Sequence, residues 1–144
     1  MKYYRLRPEV AGGLGDNAIL ADPHARPPRI TKLHFEFEDW FGDPIVTTVG
    51  TYIILESLKE KLSALRATGA TFGEVEISIS EVFEELHPGY VLPKFVWLQV
   101  TGNAGRDDFG WSQQHRLVVS QRILDLLEDA GMSHCDIAEF KGTP

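Results

Sequence analysis

The chain has 144 residues, of which 43% are hydrophobic and 24% are charged, and it carries 21 Asp and Glu against 14 Lys and Arg. These proportions exclude an intrinsically disordered chain, which combines low hydrophobicity with a large charge imbalance. The length fits a single domain over residues 1–144. The formal charge of −7 argues against nucleic acid as a partner and is compatible with a basic protein.

The composition also indicates the cellular compartment of the protein. No apolar run approaches the roughly 20 residues of a membrane span, and the basic N-terminus has no apolar stretch behind it, so neither a membrane location nor a secretory signal is expected. A single cysteine, Cys135, cannot form an internal disulfide. We therefore expect a protein of the reducing cytoplasm.

The first half of the chain predicts short strands and a long loop. Residues 2–6 predict a strand, and the glycines and prolines of 8–28, including Pro27-Pro28, predict an irregular loop with local extended geometry. Residues 30–39 alternate apolar and polar side chains, which predicts one half-buried strand. Residues 45–48 predict a further strand or an extended connection.

The next segments alternate between helix and strand. Leucines at 55, 58, 62 and 65 predict an amphipathic helix that ends at Gly69. Residues 72–80 predict a strand, and Ser80 with Phe83 and Glu84 behind it predicts a capped helical turn over 81–86.

The C-terminal third repeats this pattern. Residues 95–101 predict a strand, 102–110 a loop, 121–130 a second amphipathic helix capped by Ser120, and 135–140 a closing strand before a short tail. Both long helices follow an apolar segment and precede a glycine and a short strand, which indicates one α/β unit used twice.

These elements predict an α+β domain with a mainly antiparallel mixed sheet and two amphipathic helices on one face. The expected core combines the apolar sides of helices and strands. Its members are Leu55, Leu58, Leu62, Leu65, Ile123, Leu124 and Leu127 against Phe35, Phe37, Val75, Ile77, Phe95 and Trp97.

Three groups of residues could support chemistry. His34, Glu36 and Glu38 share one strand face and are metal-ligand types, although an amphipathic strand needs polar residues there in any case. His134 and Cys135 resemble a base beside a nucleophile, but neighbours on a strand point to opposite faces. The glycines of 11–15 lack the lysine and the strand–loop–helix setting of a phosphate loop.

A second loop leaves more alternatives open. Asp107, Asp108 and His115 could perform acid–base chemistry, while Phe109 and Trp111 could anchor a partner, and the same residue types also form plain surface turns. Because the common hydrolase and zinc motifs are missing, we expect no catalytic residues, no metal and no cofactor.

Two segments carry a family resemblance. Residues 1–6 (MKYYRL) and 116–127 (RLVVSQRILDLL), followed by Cys135-Asp136-Ile137, resemble a bacterial family of small proteins, formerly a domain of unknown function, that is grouped with the immunity proteins of polymorphic-toxin systems. The matching residues cover about a fifth of the chain and include no catalytic group. Gln121 stands where that family usually has an acidic residue.

The resemblance implies a non-enzymatic inhibitor that binds a cognate toxin in the producing cell, and the acidic composition suits a basic toxin. It leaves the oligomeric state open, and the alternative is a small enzyme or a ligand-binding module using the Asp107/Asp108/His115 loop. Acidic and aromatic residues predicted to be exposed would supply the contact surface. The expected partner-binding residues are Glu36, Glu38, Asp39, Trp40, Phe41, Tyr90, Asp107, Asp108, Phe109 and Trp111, with Glu81, Glu84 and Glu85 as further surface acids.

Overall fold

A computed structural model of the protein describes residues 2–22, 24–25 and 29–141, and these form fourteen strands and three helices. The Pro27-Pro28 pair and the last residues of the expected tail lie outside the described residues. In chain order the elements are β1 (Tyr3–Arg7), β2 (Glu9–Val10), β3 (Gly12–Leu14), β4 (Ile19–Asp22), β5 (Arg29–Lys32), β6 (His34–Phe37), β7 (Ile45–Thr48), β8 (Thr51–Leu55), α1 (Glu56–Ala64), β9 (Ala70–Gly73), β10 (Glu76–Ile79), α2 (Glu81–Leu86), β11 (Phe95–Val100), β12 (Phe109–Trp111), β13 (Leu117–Ser120), α3 (Gln121–Asp129) and β14 (Asp136–Phe140).

The strands form sheets in the orders β12-β13-β1-β14, β10-β6-β3, β2-β7-β8-β11-β9 and β4-β5. Eight of the ten described strand pairs are antiparallel, and β10–β6 and β2–β7 are parallel. The α+β class with mainly antiparallel strands is thus confirmed. No helix in the described part of the chain has the length and apolarity needed to cross a membrane.

The five-stranded sheet is buried on both faces. Neighbouring residues of a strand point to opposite faces, and here neighbours belong to different core clusters. Ile45 and Ile54 pack in one cluster, whereas Val46 and Ile53 pack in the other, and all four are 0% exposed. A sheet covered on both faces needs strands that are apolar throughout, which explains why β8 does not alternate.

The first core lies between this sheet, both long helices and the sheet that contains β1. Leu58 and Leu62 of α1 meet Ile123, Leu124 and Leu127 of α3 there. The two strand–helix units expected from the sequence are present, because β8 leads directly into α1 and β13 directly into α3.

The second core covers the opposite face of the five-stranded sheet. It holds Phe35 and Phe37 of β6, Phe83 of α2 and Phe95 of β11, with Val75, Ile77 and Trp97 partly buried against it. The prediction of one common core is therefore wrong. Because the five-stranded sheet intervenes, the helix residues and the residues of β6 pack on opposite faces.

Several element boundaries also differ from the prediction. The loop expected over 8–28 contains β2, β3 and β4, and the strands expected over 30–39 and 72–80 are each divided into two. The divided halves pair in different sheets, so the chain has to leave one sheet before it joins the next. Helix α1 ends at Ala64, with Leu65 as its C-cap, well before Gly69. The Ser80 cap is confirmed, since its side chain accepts a hydrogen bond from Phe83 N at 3.2 Å.

The glycines of β3 permit close packing on β6. A Cβ atom at Gly12 would collide with the backbone carbonyl of Glu36, whereas one at Gly13 would meet no atom within 4 Å. The glycine-rich segment thus serves strand pairing, in which Gly12 lies opposite Phe37.

This contrast predicts opposite outcomes for two neighbouring substitutions. Gly12→Ala should destabilise the protein by about 1–3 kcal/mol, because the backbone of β6 must move. Gly13→Ala should change the free energy of unfolding by less than about 0.5 kcal/mol or stabilise slightly, since alanine restricts the unfolded chain. Urea unfolding of both variants measures the difference, and equal stabilities would contradict the proposed packing.

Asp108 connects the two strand–helix units. Its carboxylate accepts hydrogen bonds from Arg122 Nε at 2.9 Å and Nη2 at 2.6 Å, from Ser120 Oγ at 2.7 Å and from the Thr68 backbone N–H at 2.9 Å. These bonds join the segment after α1 to the beginning of α3. Mainly because of the Arg122 hydrogen bonds, the pKa of Asp108 lies well below its ordinary value of 3.8.

We expect Asp108→Asn to destabilise the protein by about 2 kcal/mol at neutral pH, because the charge-assisted bonds are lost while half-exposed Arg122 stays solvated. A lowered folded-state pKa contributes stability above pH 3.8 that is lost as the pH falls further. The difference between wild type and variant should therefore shrink below about pH 4. Chemical unfolding from pH 3 to 8 tests this, with exposed Asp129→Asn as control; a difference independent of pH would contradict it.

Candidate functional site

Some of the expected partner-binding residues meet at one surface. Trp40 and Phe41 lie in the turn between β6 and β7, and Tyr90 lies in the loop after α2. The ring centroid of Tyr90 is 6.3 Å from Trp40, 6.3 Å from Phe83 and 6.0 Å from His87. Together with Phe41, these rings line a cavity of about 260 Å³. We call Trp40, Phe41, Phe83, His87 and Tyr90 the aromatic patch.

Asp39 holds this turn against α2. One carboxylate oxygen, Oδ1, accepts a hydrogen bond from the Trp40 backbone N–H at 2.8 Å and from His87 Nε2 at 2.7 Å. The His87 hydrogen bond lowers the pKa of Asp39, so the carboxylate is ionised at neutral pH. The indole N–H of Trp40 donates to the Asp43 carbonyl at 2.9 Å, which fixes the ring as well.

The patch rests on the second core. Trp40 packs edge-on against Phe95 with centroids 5.8 Å apart, and Phe83 packs edge-on against Phe37 at 6.5 Å. The two supporting rings, Phe95 and Phe37, are buried, and Phe83 itself is only 1% exposed. Buried neighbours of the second core therefore help to position the rings of the patch, in addition to the loops that carry them.

The outer side of the patch is accessible and apolar. Phe41 is 59% exposed and Tyr90 47%. Close by in the chain, Val82 and Leu86 lie four residues apart on α2, and Val91 follows Tyr90; these three side chains are also exposed. Large exposed apolar residues scattered singly need no explanation, but a concentration beside an aromatic cavity is typical of an interaction surface.

The segments that build the patch are acidic. Glu81, Glu84 and Glu85 of α2 are exposed, as is Glu38. Residues 33–58 and 67–93 together hold ten Asp and Glu and no Lys or Arg. Glu36 lies on β6, half-buried, where its Oε1 accepts a hydrogen bond of 3.5 Å from Ser78 Oγ. The local charge is thus more strongly negative than that of the whole chain.

The second half of the expected set lies elsewhere and is mostly structural. Asp108 is buried in the Arg122 ion pair, and Phe109 is 0% exposed in the first core, so neither can contact a partner in this conformation. The expectation of an exposed Phe109 anchor is wrong because β12 pairs with β13 and turns that ring inward. Asp107 accepts the Asn103 backbone N–H at 2.8 Å, closing its own turn.

Trp111 and His115 belong to a different groove, of about 500 Å³. The indole N–H of Trp111 donates to the Val100 carbonyl at 2.9 Å, and its ring lies 6.4 Å from that of His115. Among the described residues, no hydrogen bond or ion pair joins His115 to Asp107 or Asp108. The acid–base arrangement considered for this loop is therefore not assembled here.

His34 has a structural role that the strand pattern concealed. It is 6% exposed, its Nδ1 accepts the Asn17 backbone N–H at 3.1 Å, and its Nε2 lies 2.8 Å from Ser78 Oγ. Since Nδ1 accepts a hydrogen bond, Nε2 carries the ring hydrogen and donates it to the serine hydroxyl. The expected solvated face of 34, 36 and 38 is wrong at this position, because residues 15–17 cover it.

His134 and Cys135 do not form a nucleophile–base pair. Burial, followed by the charges of Asp43 and Asp136, raises the pKa of Cys135 to about 11, whereas a reactive cysteine needs a lowered value. His134 instead binds Asp43, with Nδ1 3.1 Å from Oδ1. Glu9 joins these two residues, and the three ligand-type atoms lie within 4.8 Å of one another.

A cavity of about 970 Å³ lies along α1 and includes none of the expected site residues. Its lining combines acids, lysines and serines, and among the described residues no side-chain hydrogen bond or ion pair joins them into a catalytic arrangement. The patch remains the surface where expected residues, exposure and charge coincide.

The sequence analysis missed part of the patch. Val82, Phe83 and Leu86 were assigned only to a capped turn, and His87 was given no part in binding. A usable signal was present, since Val82 and Leu86 flank the buried Phe83 and leave too many apolar residues for one inward face.

Comparison with known protein families and with characterised proteins found no match to this chain.

Proposed function

We propose that this protein is a non-enzymatic inhibitor of the immunity type, which binds a cognate basic toxin in the cytoplasm of the producing cell through the aromatic patch. The observation that carries the proposal is the exposed aromatic cavity, fixed on the second core and built from chain segments that hold acids and no lysine or arginine. The resemblance of residues 1–6 and 116–127 to immunity proteins supports the same function.

The geometry of the patch suits a binding hot spot. Hot spots are enriched in Trp and Tyr, sit in well-packed pockets and gain from side chains that are ordered before binding. Trp40 satisfies its indole N–H internally and Tyr90 packs on two further rings, so little side-chain freedom remains to be lost. A projecting apolar or basic side chain of the partner would fit the cavity between them.

The charge around the patch identifies the kind of partner. Glu38, Glu81, Glu84 and Glu85 would attract a positively charged surface and speed its association. Many antibacterial toxins that act on nucleic acid are basic, and an acidic inhibitor would compete with their substrate. The alternative of an enzyme or a ligand-binding module on the Asp107/Asp108/His115 loop draws no support from the separate positions of these residues.

The first test is co-expression of this protein with the product of the neighbouring gene. Growth arrest by that product alone, together with rescue and a stable complex in the presence of this protein, is the expected result. A harmless neighbour that does not bind would contradict the proposal.

Within such a complex, Phe41→Ala and Tyr90→Ala should each weaken binding by about 30-fold, because truncation of a hot-spot ring costs about 2 kcal/mol or more. Calorimetry or surface plasmon resonance measures the change. Ile137→Ala, which removes a 41% exposed side chain of β14, is the matched control and should bind as wild type does. If the control weakens binding and the patch variants do not, the contact surface lies on the β14 side.

The acids of α2 should act mainly on the association rate. We expect Glu81→Gln with Glu85→Gln to slow association several-fold at low salt, with a smaller effect at high salt, where charges are screened. Glu56→Gln with Glu60→Gln on α1 is a close control, since both pairs are exposed, four residues apart and remove two charges. Equal slowing by both pairs would indicate a general effect of net charge and not this surface.

A further inference from the structure

The structure assigns a second site, for a first-row divalent transition metal such as Zn²⁺, to Glu9, Asp43 and His134. Their ligand-type atoms lie within 4.8 Å of one another, although the residues are far apart in the chain. Glu9 lies on β2, Asp43 two residues before β7, and His134 two residues before β14. Two carboxylates and one imidazole form a ligand set that suits zinc and its neighbours.

The distances between ligands fit a coordination shell. His134 Nδ1 is 3.1 Å from Asp43 Oδ1. Ligand atoms that share a tetrahedral ion at about 2.1 Å are separated by roughly 3.4 Å, so the imidazole and this carboxylate need to move apart only slightly. Glu9 would complete the set by a small shift of its carboxylate.

The Glu9 carboxylate supplies an independent indication. Its Oε1 is shielded from water and has no hydrogen-bond partner among the described residues. A buried acceptor without a donor is costly, and it faces a second carboxylate, that of Asp43. A bound cation would satisfy this oxygen and remove the repulsion.

Hydrogen bonds from neighbouring residues orient the proposed ligands, as outer contacts do in metal sites. Asp43 is 0% exposed, and its Oδ2 accepts the His134 backbone N–H at 2.8 Å while Oδ1 accepts the Ser133 N–H at 3.1 Å. Such outer contacts fix the orientation of a ligating carboxylate. The His134 side chain is 46% exposed and stacks on Phe41 with ring centroids 4.9 Å apart, which leaves a path from solvent.

The test is thermal unfolding and calorimetry of the protein alone, with Zn²⁺ added after treatment with a chelator. We expect one equivalent to bind and the Tm to rise by about 5 °C or more at saturation. Glu9→Gln should abolish this shift without lowering the metal-free Tm, since glutamine keeps the size of the side chain and removes the charge that faces Asp43. His134→Gln should abolish it as well.

His87→Gln is the matched control, because Asp39 and His87 form a second close carboxylate–histidine pair, at 2.7 Å, that lacks a third ligand among the described residues. That variant should keep the full response to Zn²⁺. The inference is overturned if wild type shows no shift, if the shift survives Glu9→Gln, or if it disappears in His87→Gln. An equal response to Mg²⁺ would overturn the choice of a transition metal. Because no toxin is present, these outcomes are separate from the test of the proposed function.

Discussion

The burial of the five-stranded sheet on both faces is the constraint on which the rest of the fold depends. Ile53 and Ile54 are adjacent, yet each is completely buried in a different core. The sheet therefore requires a covering layer on each side. Helices α1 and α3 with the β1 sheet provide one, and β6 with α2 provides the other. The aromatic patch is the outer surface of this second layer, so its rings are positioned by the same packing that stabilises the protein.

Asp43 connects that layer to the C-terminal part of the chain. An isolated buried carboxylate is strongly unfavourable, and here two backbone N–H groups, from Ser133 and His134, stabilise it. Its own carbonyl accepts the Trp40 indole. One residue thus orders the turn that presents the patch and brings His134 beside Phe41. The proposed ion site and the proposed binding surface share this residue, although their chemistry differs.

Local signals in the sequence were sufficient for much of the fold. Leucines at helical spacing located α1, the Ser80 cap located α2, and a run of aromatic and β-branched residues located β11, because each feature depends on near neighbours in the chain. The pairing of strands could not be obtained in this way. The burial of His34 depends on Asn17 and Ser78, and the polar face of its strand looks the same whether or not other segments cover it. The separation into two cores likewise depends on which sheet lies between them.

The candidate sites likewise divide into residues that local sequence signals identify and residues that only the fold brings together. Trp40 and Phe41 were expected from their residue type, as aromatic anchors for a partner, whereas nothing in the sequence joins Glu9, Asp43 and His134, since no local spacing relates them. The turn of residues 38–44 joins β6 to β7, and its ends are fixed by Asp39 on His87 and by Asp43 on Ser133. A turn held at both ends loses little conformational entropy when it binds. Asp39 and Asp43, which in the sequence resemble ordinary turn residues, therefore determine how rigidly the turn presents its aromatic rings.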